Sequence, residues 1–360
     1  MKDAEHVELE TNGIRMHAVL AGEGPAVLLC HGFPGLWSSW RHQLPAIAAA
    51  GFRAIAVDMR GYGRTDRPLE ASAYGNQTIV ADLMGVLDAL GEEQAVVVGH
   101  DFGAQAAWAA ALHAPSRVRG VVSIAVPYGV GFARDDRGGA RTRTEPEAAR
   151  SRGRKPSETY ASIAERHFLH LHYFQQVGLA EAELGANPRL FLERIYWALS
   201  ARGNLLDFKR FPSEGTGYLD VLADPSEPMP WPWLSHEDLD YLVAEYMRTG
   251  PETAFIGGLN SYRAMDLNWE FDPKYGRAKI HRPALFLCGE KDPVLQLITS
   301  KSLATMPDRV PQLRGIEIIR GAGHFAHQER PIPVNEALLA FLAEIGTPAS
   351  GSEPVGELAR

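Results

Sequence analysis

Val96-Val97-Val98-Gly99-His100-Asp101-Phe102-Gly103-Ala104 is the stretch on which the reading of this chain turns. The β-branched run predicts a buried strand, two glycines bracket a polar pair, and the alanine-rich segment Gln105 to His113 has good helix propensity. Strand, Gly-x-Asp-x-Gly turn and helix together make an elbow. Its centre, Asp101, needs small residues two positions to either side, and Gly99 and Gly103 supply them. Such a turn thrusts its central side chain off the sheet, while the following helix points its N-terminal amides at the same place. A carboxylate there is already ionised at neutral pH, its reference pKa being ~3.9, so it needs no base to become nucleophilic. It can displace at an sp3 carbon and leave an alkyl ester on the protein. The other reading is that Asp101 only caps the helix beginning near Phe102, and the rest of the chain has to arbitrate.

The chain of 360 residues is long enough for one large α/β domain with an insertion or for two domains, and ordinary apolar content provides a core. A net charge of −8 without any basic stripe argues against a nucleic-acid partner. Cys30 and Cys288 lie in apolar, strand-like runs and read as buried, reduced thiols. The first ten residues lack the apolar stretch of a signal peptide, and no apolar run can span a bilayer. A cytoplasmic protein without membrane insertion is therefore expected. The histidines form no ligand-like cluster with acids or cysteines, so neither metal nor cofactor is expected.

Upstream of the elbow, Val7–Leu9 and Ile14–Ala21 read as a hairpin joined at Thr11-Asn12-Gly13. Ala26–Cys30 reads as a strand buried on both faces and ends in His31-Gly32-Phe33-Pro34-Gly35. A helix over Trp40–Ala50 and a strand over Ala54–Val57 follow. The strand closes in a charged, glycine-rich loop whose Asp58, Arg60 and Asp66 read as structural ion pairs. Thr78–Leu90 reads as a helix and, beyond the elbow, Val118–Ala125 as another buried strand. This alternation predicts an α/β fold with a mostly parallel, doubly wound sheet. Arg134 to Glu158 has no apolar period and reads as an exposed, mobile loop. From Tyr160 to about Asp272 the chain looks helical and rich in aromatics, an inserted lid. The sheet resumes at Ala284–Cys288, which runs into Gly289-Glu290-Lys291-Asp292-Pro293. A last strand, Ile316–Arg320, precedes Gly321-Ala322-Gly323-His324, and Glu336–Glu344 reads as a closing helix. The expected division is core 1–128, connecting loop and lid 129–272, core 273–345, and a disordered tail 346–360.

Asp101, Asp292 and His324 thus stand in the chain order nucleophile, acid, base. His324 would activate water against the Asp101 ester, with Asp292 orienting it. The backbone N–H groups of Phe33 and Phe102 are placed to form the oxyanion hole.

These motifs, with Gly258-Leu259-Asn260-Ser261-Tyr262-Arg263 and Asn268-Trp269-Glu270, resemble those of the α/β-hydrolase-fold epoxide hydrolases from about residue 7 to 345. The resemblance implies conversion of an epoxide and water to a vicinal diol through an Asp101 ester. It also implies that Tyr262 is one of two lid acids that protonate the leaving alkoxide, which is a poor leaving group without a donor. In commoner members the second acid is a tyrosine three positions before a Tyr-Phe-Gln segment; here His170 stands there, ahead of Tyr173-Phe174-Gln175. A subgroup with a His–Tyr pair makes His170 the candidate and Tyr173 the runner-up. An imidazolium donor would make activity fall above neutral pH; a neutral ring would not. Phe33, Trp197 and Tyr173 are candidate substrate contacts, and the lid aromatics imply an apolar aryl or alkyl epoxide. A homodimer is left open.

A haloalkane or haloacid dehalogenase shares the aspartate nucleophile, but Phe102 and Phe33 offer none of the side-chain N–H donors that cradle a halide. A non-catalytic hydrolase-like binding protein is the remaining alternative, against which stand three competent triad positions.

Overall fold

The computed structural model describes residues 4–129, 153–271, 275–296 and 298–345. Val96, Val97 and Val98 are buried in the middle of strand β5 (Ala95–His100). Successive side chains leave a strand on opposite faces. Val97 accordingly joins an apolar cluster with Leu28, Leu83 and Trp108, whereas Val96 and Val98 join another with Leu44, Ile47 and Phe341. Burial on both faces is why the run shows no polar alternation.

Around β5, strands β1 (Glu5–Thr11), β2 (Ile14–Ala21), β3 (Ala26–Cys30), β4 (Arg53–Val57), β6 (Val118–Ile124), β7 (Ala284–Gly289) and β8 (Leu313–Ile319) complete an eight-stranded sheet. Its order is β1-β2-β4-β3-β5-β6-β7-β8. The β1–β2 hairpin and the β2–β4 pair are antiparallel; every pair from β4 to β8 is parallel. Helices α1 (Gln43–Ala49), α2 (Asn76–Ala89) and α3 (Phe102–His113), with the closing helix Pro331–Ile345, cover the two faces.

Two helices differ from their sequence expectation, each because of proline. Pro45 lacks an N–H and fits only a first turn, so α1 starts at Gln43, behind a separate 3-10 turn at Trp37–Trp40. Pro331 opens the closing helix five residues earlier than the apolar pattern indicates, as an N1 proline can. The loop expectation over Arg134–Glu158 lies outside the described residues up to 152, and Pro156 already starts a helix. The expected tail 346–360 also lies outside them.

Between β6 and β7 the described chain is a set of helices and turns, including His170–Tyr173, Leu179–Ala186, Pro188–Leu199, His236–Tyr246 and Ile256–Arg263. Among the described residues no helix is long and apolar enough to cross a membrane.

The charged loop after β4 is tied down by groups at some distance in sequence. Asp58 accepts the Trp37 N–H at 2.9 Å and meets His17 Nδ1 at 2.8 Å. Asp66 accepts the Arg15 N–H at 2.9 Å. The Arg60 guanidinium forms a two-pronged, buried pair with Asp82 of α2, at 2.7 and 2.6 Å. Removing one partner of such a pair strands the other charge in the interior. R60L should therefore lower the unfolding free energy by about 3–5 kcal/mol, read by urea denaturation; a loss below ~1 kcal/mol would show that Asp82 is not buried as a charge.

Candidate active site

In a sheet of this topology the loops at the carboxyl ends of neighbouring parallel strands converge, and ligands bind there. Here those loops follow β3, β5, β7 and β8. Asp101, directly after β5, has φ 53° and ψ −117°, a conformation that costs a non-glycine residue about 1–3 kcal/mol unless its surroundings enforce it. Close packing enforces it. A Cβ on Gly103 would fall 2.0 Å from the Cys30 carbonyl oxygen, and one on Gly32 would fall 2.4 Å from Asp101 Oδ1. Only glycine lets α3 and the β3 loop approach the turn this closely.

Asp101 occupies the N-cap position of α3 but makes no side-chain capping bond. Its Oδ1 instead accepts the Phe33 N–H at 3.0 Å. Its Oδ2 lies 3.8 Å from His324 Nε2. Burial raises the Asp101 pKa, while His324 and the N–H groups of Phe102 and Phe33 oppose that rise. His324 sits on the turn after β8, and its Nδ1 is 3.2 Å from both oxygens of Asp292. Asp292 is fully buried after β7 and also accepts the Val294 N–H at 2.8 Å. Burial alone would depress His324, but Asp292 first, and then Asp101, carry it up to about 9. Glu290, two residues before Asp292, accepts the Gly321 N–H instead of facing His324.

The lid closes over this corner with rings. Tyr262 packs edge-on against Phe102, at 4.8 Å between centroids, and against Phe33 at 6.4 Å. His170 stands perpendicular to Tyr262 at 5.9 Å and is stacked with Tyr218 at the same separation. Phe33, besides giving its N–H to Asp101, stacks on Phe191. The structure thus brings Asp101, Asp292, His324, Phe33, Phe102, Tyr262 and His170 into one buried neighbourhood. It leaves two expected contacts outside it. The Tyr173 hydroxyl donates to Glu183 at 2.8 Å, and the residue lines an outer groove of about 250 Å³ beside His172. Trp197 packs on Trp231 at 5.1 Å, so its ring meets that tryptophan rather than the rings of Phe33, Tyr262 or His170. Both side chains are drawn away by better partners within the lid. No group of three or more His, Cys, Asp or Glu side chains among the described residues is arranged to hold a metal.

A sequence model of the α/β hydrolase fold family matches residues 25–173. Over 342 residues, covering 93% of this chain and 96% of the relative, the sequence is 39% identical to epoxide hydrolase A of Mycobacterium tuberculosis. It is 35% identical over 346 residues to epoxide hydrolase 2 of Siraitia grosvenorii, covering 95% and 99% of the two chains. Among solved structures, an epoxide hydrolase from an endophytic Streptomyces superposes with a TM-score of 0.82 at 37% identity, covering 96% of this chain and 97% of that one. The chain belongs to the epoxide hydrolase family of α/β-hydrolase enzymes.

Two features of this epoxide hydrolase go beyond the sequence reading. The first is Arg263, next to Tyr262 and buried. Its guanidinium binds both oxygens of Glu181, at 2.6 and 3.0 Å, and donates to the Phe174 carbonyl at 2.7 Å. It thereby fixes the helix of Tyr262 against the segment that carries His170. Arg263 is part of the quoted lid motif, but its carboxylate partner cannot be read from a single sequence.

The second is the charge state of His170. It is half-buried with its Nδ1 enclosed and unpartnered, and desolvation with no opposing charge lowers its pKa to about 4. The imidazolium form considered from sequence is therefore replaced by a neutral ring. The two histidines should then act oppositely on stability. His170, depressed from 6.5 to about 4, makes stability fall as pH drops through that window. His324, raised from 6.5 to about 9, contributes stability below 6.5 that is lost as pH rises through 9. Histidine-resolved NMR titration should show His170 uncharged above pH ~5; a His170 midpoint near its ordinary ~6.5 would contradict this burial.

Proposed function

We propose that this epoxide hydrolase opens its substrate by attack of Asp101 on a ring carbon and releases the vicinal diol by hydrolysing the resulting ester. One observation carries the reading: the two Asp101 oxygens have different surroundings. Oδ1 is held by the Phe33 N–H, while Oδ2 is the oxygen that faces His324 Nε2, at 3.8 Å. Oδ2 is then the oxygen that bonds to carbon, and Oδ1 becomes the ester carbonyl, already held by the Phe33 N–H. As the C–O bond of the oxirane breaks, Tyr262 protonates the alkoxide. Burial first, and Asp101 second, hold the Tyr262 hydroxyl well above its ordinary pKa, so it is fully protonated before reaction. Neutral His170 supplies an N–H hydrogen bond to the same oxygen.

Esterification removes the Asp101 charge that helps keep His324 protonated. The imidazole then gives up its proton, which returns Tyr262 from phenolate to phenol, and as a free base it takes a proton from the water that attacks the Asp101 Cγ. The tetrahedral oxyanion forms on Oδ1, where the Phe33 N–H is already aimed and the Phe102 N–H, also bonded to this carboxylate, stands beside it. Collapse breaks the Cγ–Oδ2 bond as protonated His324 hands its proton to Oδ2, which leaves as a hydroxyl of the diol. The Asp101 carboxyl, now holding the water oxygen, gives its remaining proton to His324, and both return to their starting state.

The rings of Phe33, Phe102, Phe174, Phe191 and Tyr262 around the lid acids support an apolar aryl or alkyl epoxide as substrate. The run of helices between β6 and β7 supports a core of 1–128 and 273–345 with a lid inserted between. Nothing at Phe33 or Phe102 supplies side-chain N–H donors for a halide, so the dehalogenase reading gains no support.

The test uses H324Q and D101N with an aryl epoxide. H324Q should gain the mass of one epoxide on the protein, with steady-state turnover lowered by about 10²-fold or more. D101N should gain no mass and form no diol. An H324Q protein that turns over without a trapped adduct would contradict the scheme.

A further inference from the structure

The turn that follows His324 ends in Glu329, a mostly buried carboxylate that the proposed chemistry leaves unused. Its Oε2 accepts the N–H groups of Ala201 at 2.8 Å and Gly323 at 3.1 Å, and its Oε1 accepts that of Phe325 at 3.2 Å. Gly323 and Phe325 flank His324 in the chain, and Ala201 belongs to the lid, just beyond the helix Pro188–Leu199. The His324 N–H itself donates to Leu199 at 2.9 Å. A Cβ on Gly323 would come 2.3 Å from the Ala201 nitrogen, so the His324 turn and the lid are in direct backbone contact. The same lid helix carries Phe191, stacked on Phe33, and Tyr196, whose hydroxyl donates to the Pro34 carbonyl at 3.1 Å.

We propose that Glu329 is a positioning residue for ester hydrolysis: its carboxylate clamps the N–H groups of the residues on either side of His324 to the end of a lid helix, so that the base is in register when the lid is seated. This rests on the reading of His324 as the hydrolytic base. A carboxylate accepting three N–H groups is a stronger tie than a neutral side chain would be. Its charge also acts on His324, which is faced in addition by Asp292, Asp101, His100 and His327.

The two half-reactions separate this role from a purely structural one. In single turnovers with an aryl epoxide, E329Q should form the Asp101 ester within about threefold of the wild-type rate but hydrolyse it at least about tenfold more slowly. Its hydrolysis limb should move to lower pH, because a negative charge beside His324 is gone. E329D keeps the charge, so the limb should return toward its wild-type position with the rate between the two. If E329Q does not fold, E329D alone must show slowed hydrolysis with near-normal ester formation. Equal slowing of both steps together with a lowered Tm, or no slowing of either, would overturn the proposal. A wild-type enzyme that forms no ester would overturn the underlying reading instead, and is seen before any variant is compared.

Discussion

The site depends on the close approach of three backbone segments at the carboxyl ends of β3 and β5. The β3 loop, the Asp101 turn and the first residues of α3 approach so closely that Gly32 and Gly103 have no room for a Cβ. That packing holds Asp101 at positive φ and lets the Phe33 N–H reach one carboxylate oxygen while the other is left toward His324. The strain is stored in the native state and confers a pre-set division between the two oxygens. Relaxing the turn would release the strain and lose that division.

The rest of the site sets proton positions by burial. His324 is buried and His170 half-buried, yet their affinities for a proton move in opposite directions. His324 has the carboxylates of Asp292, Asp101 and Glu329 about it, which together outweigh desolvation. His170 has only rings around it, so desolvation acts unopposed. Tyr262 is pushed the same way as any buried phenol, with Asp101 adding to the effect. Tyr262 and His170 are therefore both uncharged at neutral pH, and the charged groups lie on the core side, at Asp101, Asp292 and His324. Pushing environments apart in this manner is how one cleft can hold a proton donor and a base at a single pH.

The elements that position the triad were readable from the chain because each has a local signature. Buried strands lack polar alternation, elbow and turns carry glycine at fixed offsets, and the order of Asp101, Asp292 and His324 follows the order of the strands. Tyr262 and His170 were readable only through a resemblance, since a lone aromatic or histidine in a helical region has no distinctive local pattern. What stayed hidden depends on pairing across long separations. Arg263 with Glu181, Arg60 with Asp82 and Glu329 with Ala201 are each ordinary residues until the fold joins them. Trp197 and Tyr173 show the same limit from the other side. Both have the right chemistry for a pocket wall, and both are captured by partners elsewhere in the lid. The charge state of His170 likewise follows from what surrounds the ring rather than from the residue itself.

The central claim is that the carbon–oxygen bond of the substrate is first made to Asp101. A single turnover of an aryl epoxide in heavy-oxygen water, with mass spectrometry of diol and protein, tests it directly. The account predicts that the first diol carries the unlabelled Asp101 oxygen and that the label appears on Asp101. A first diol bearing the heavy oxygen, with Asp101 unlabelled, would mean direct attack by water and would contradict it.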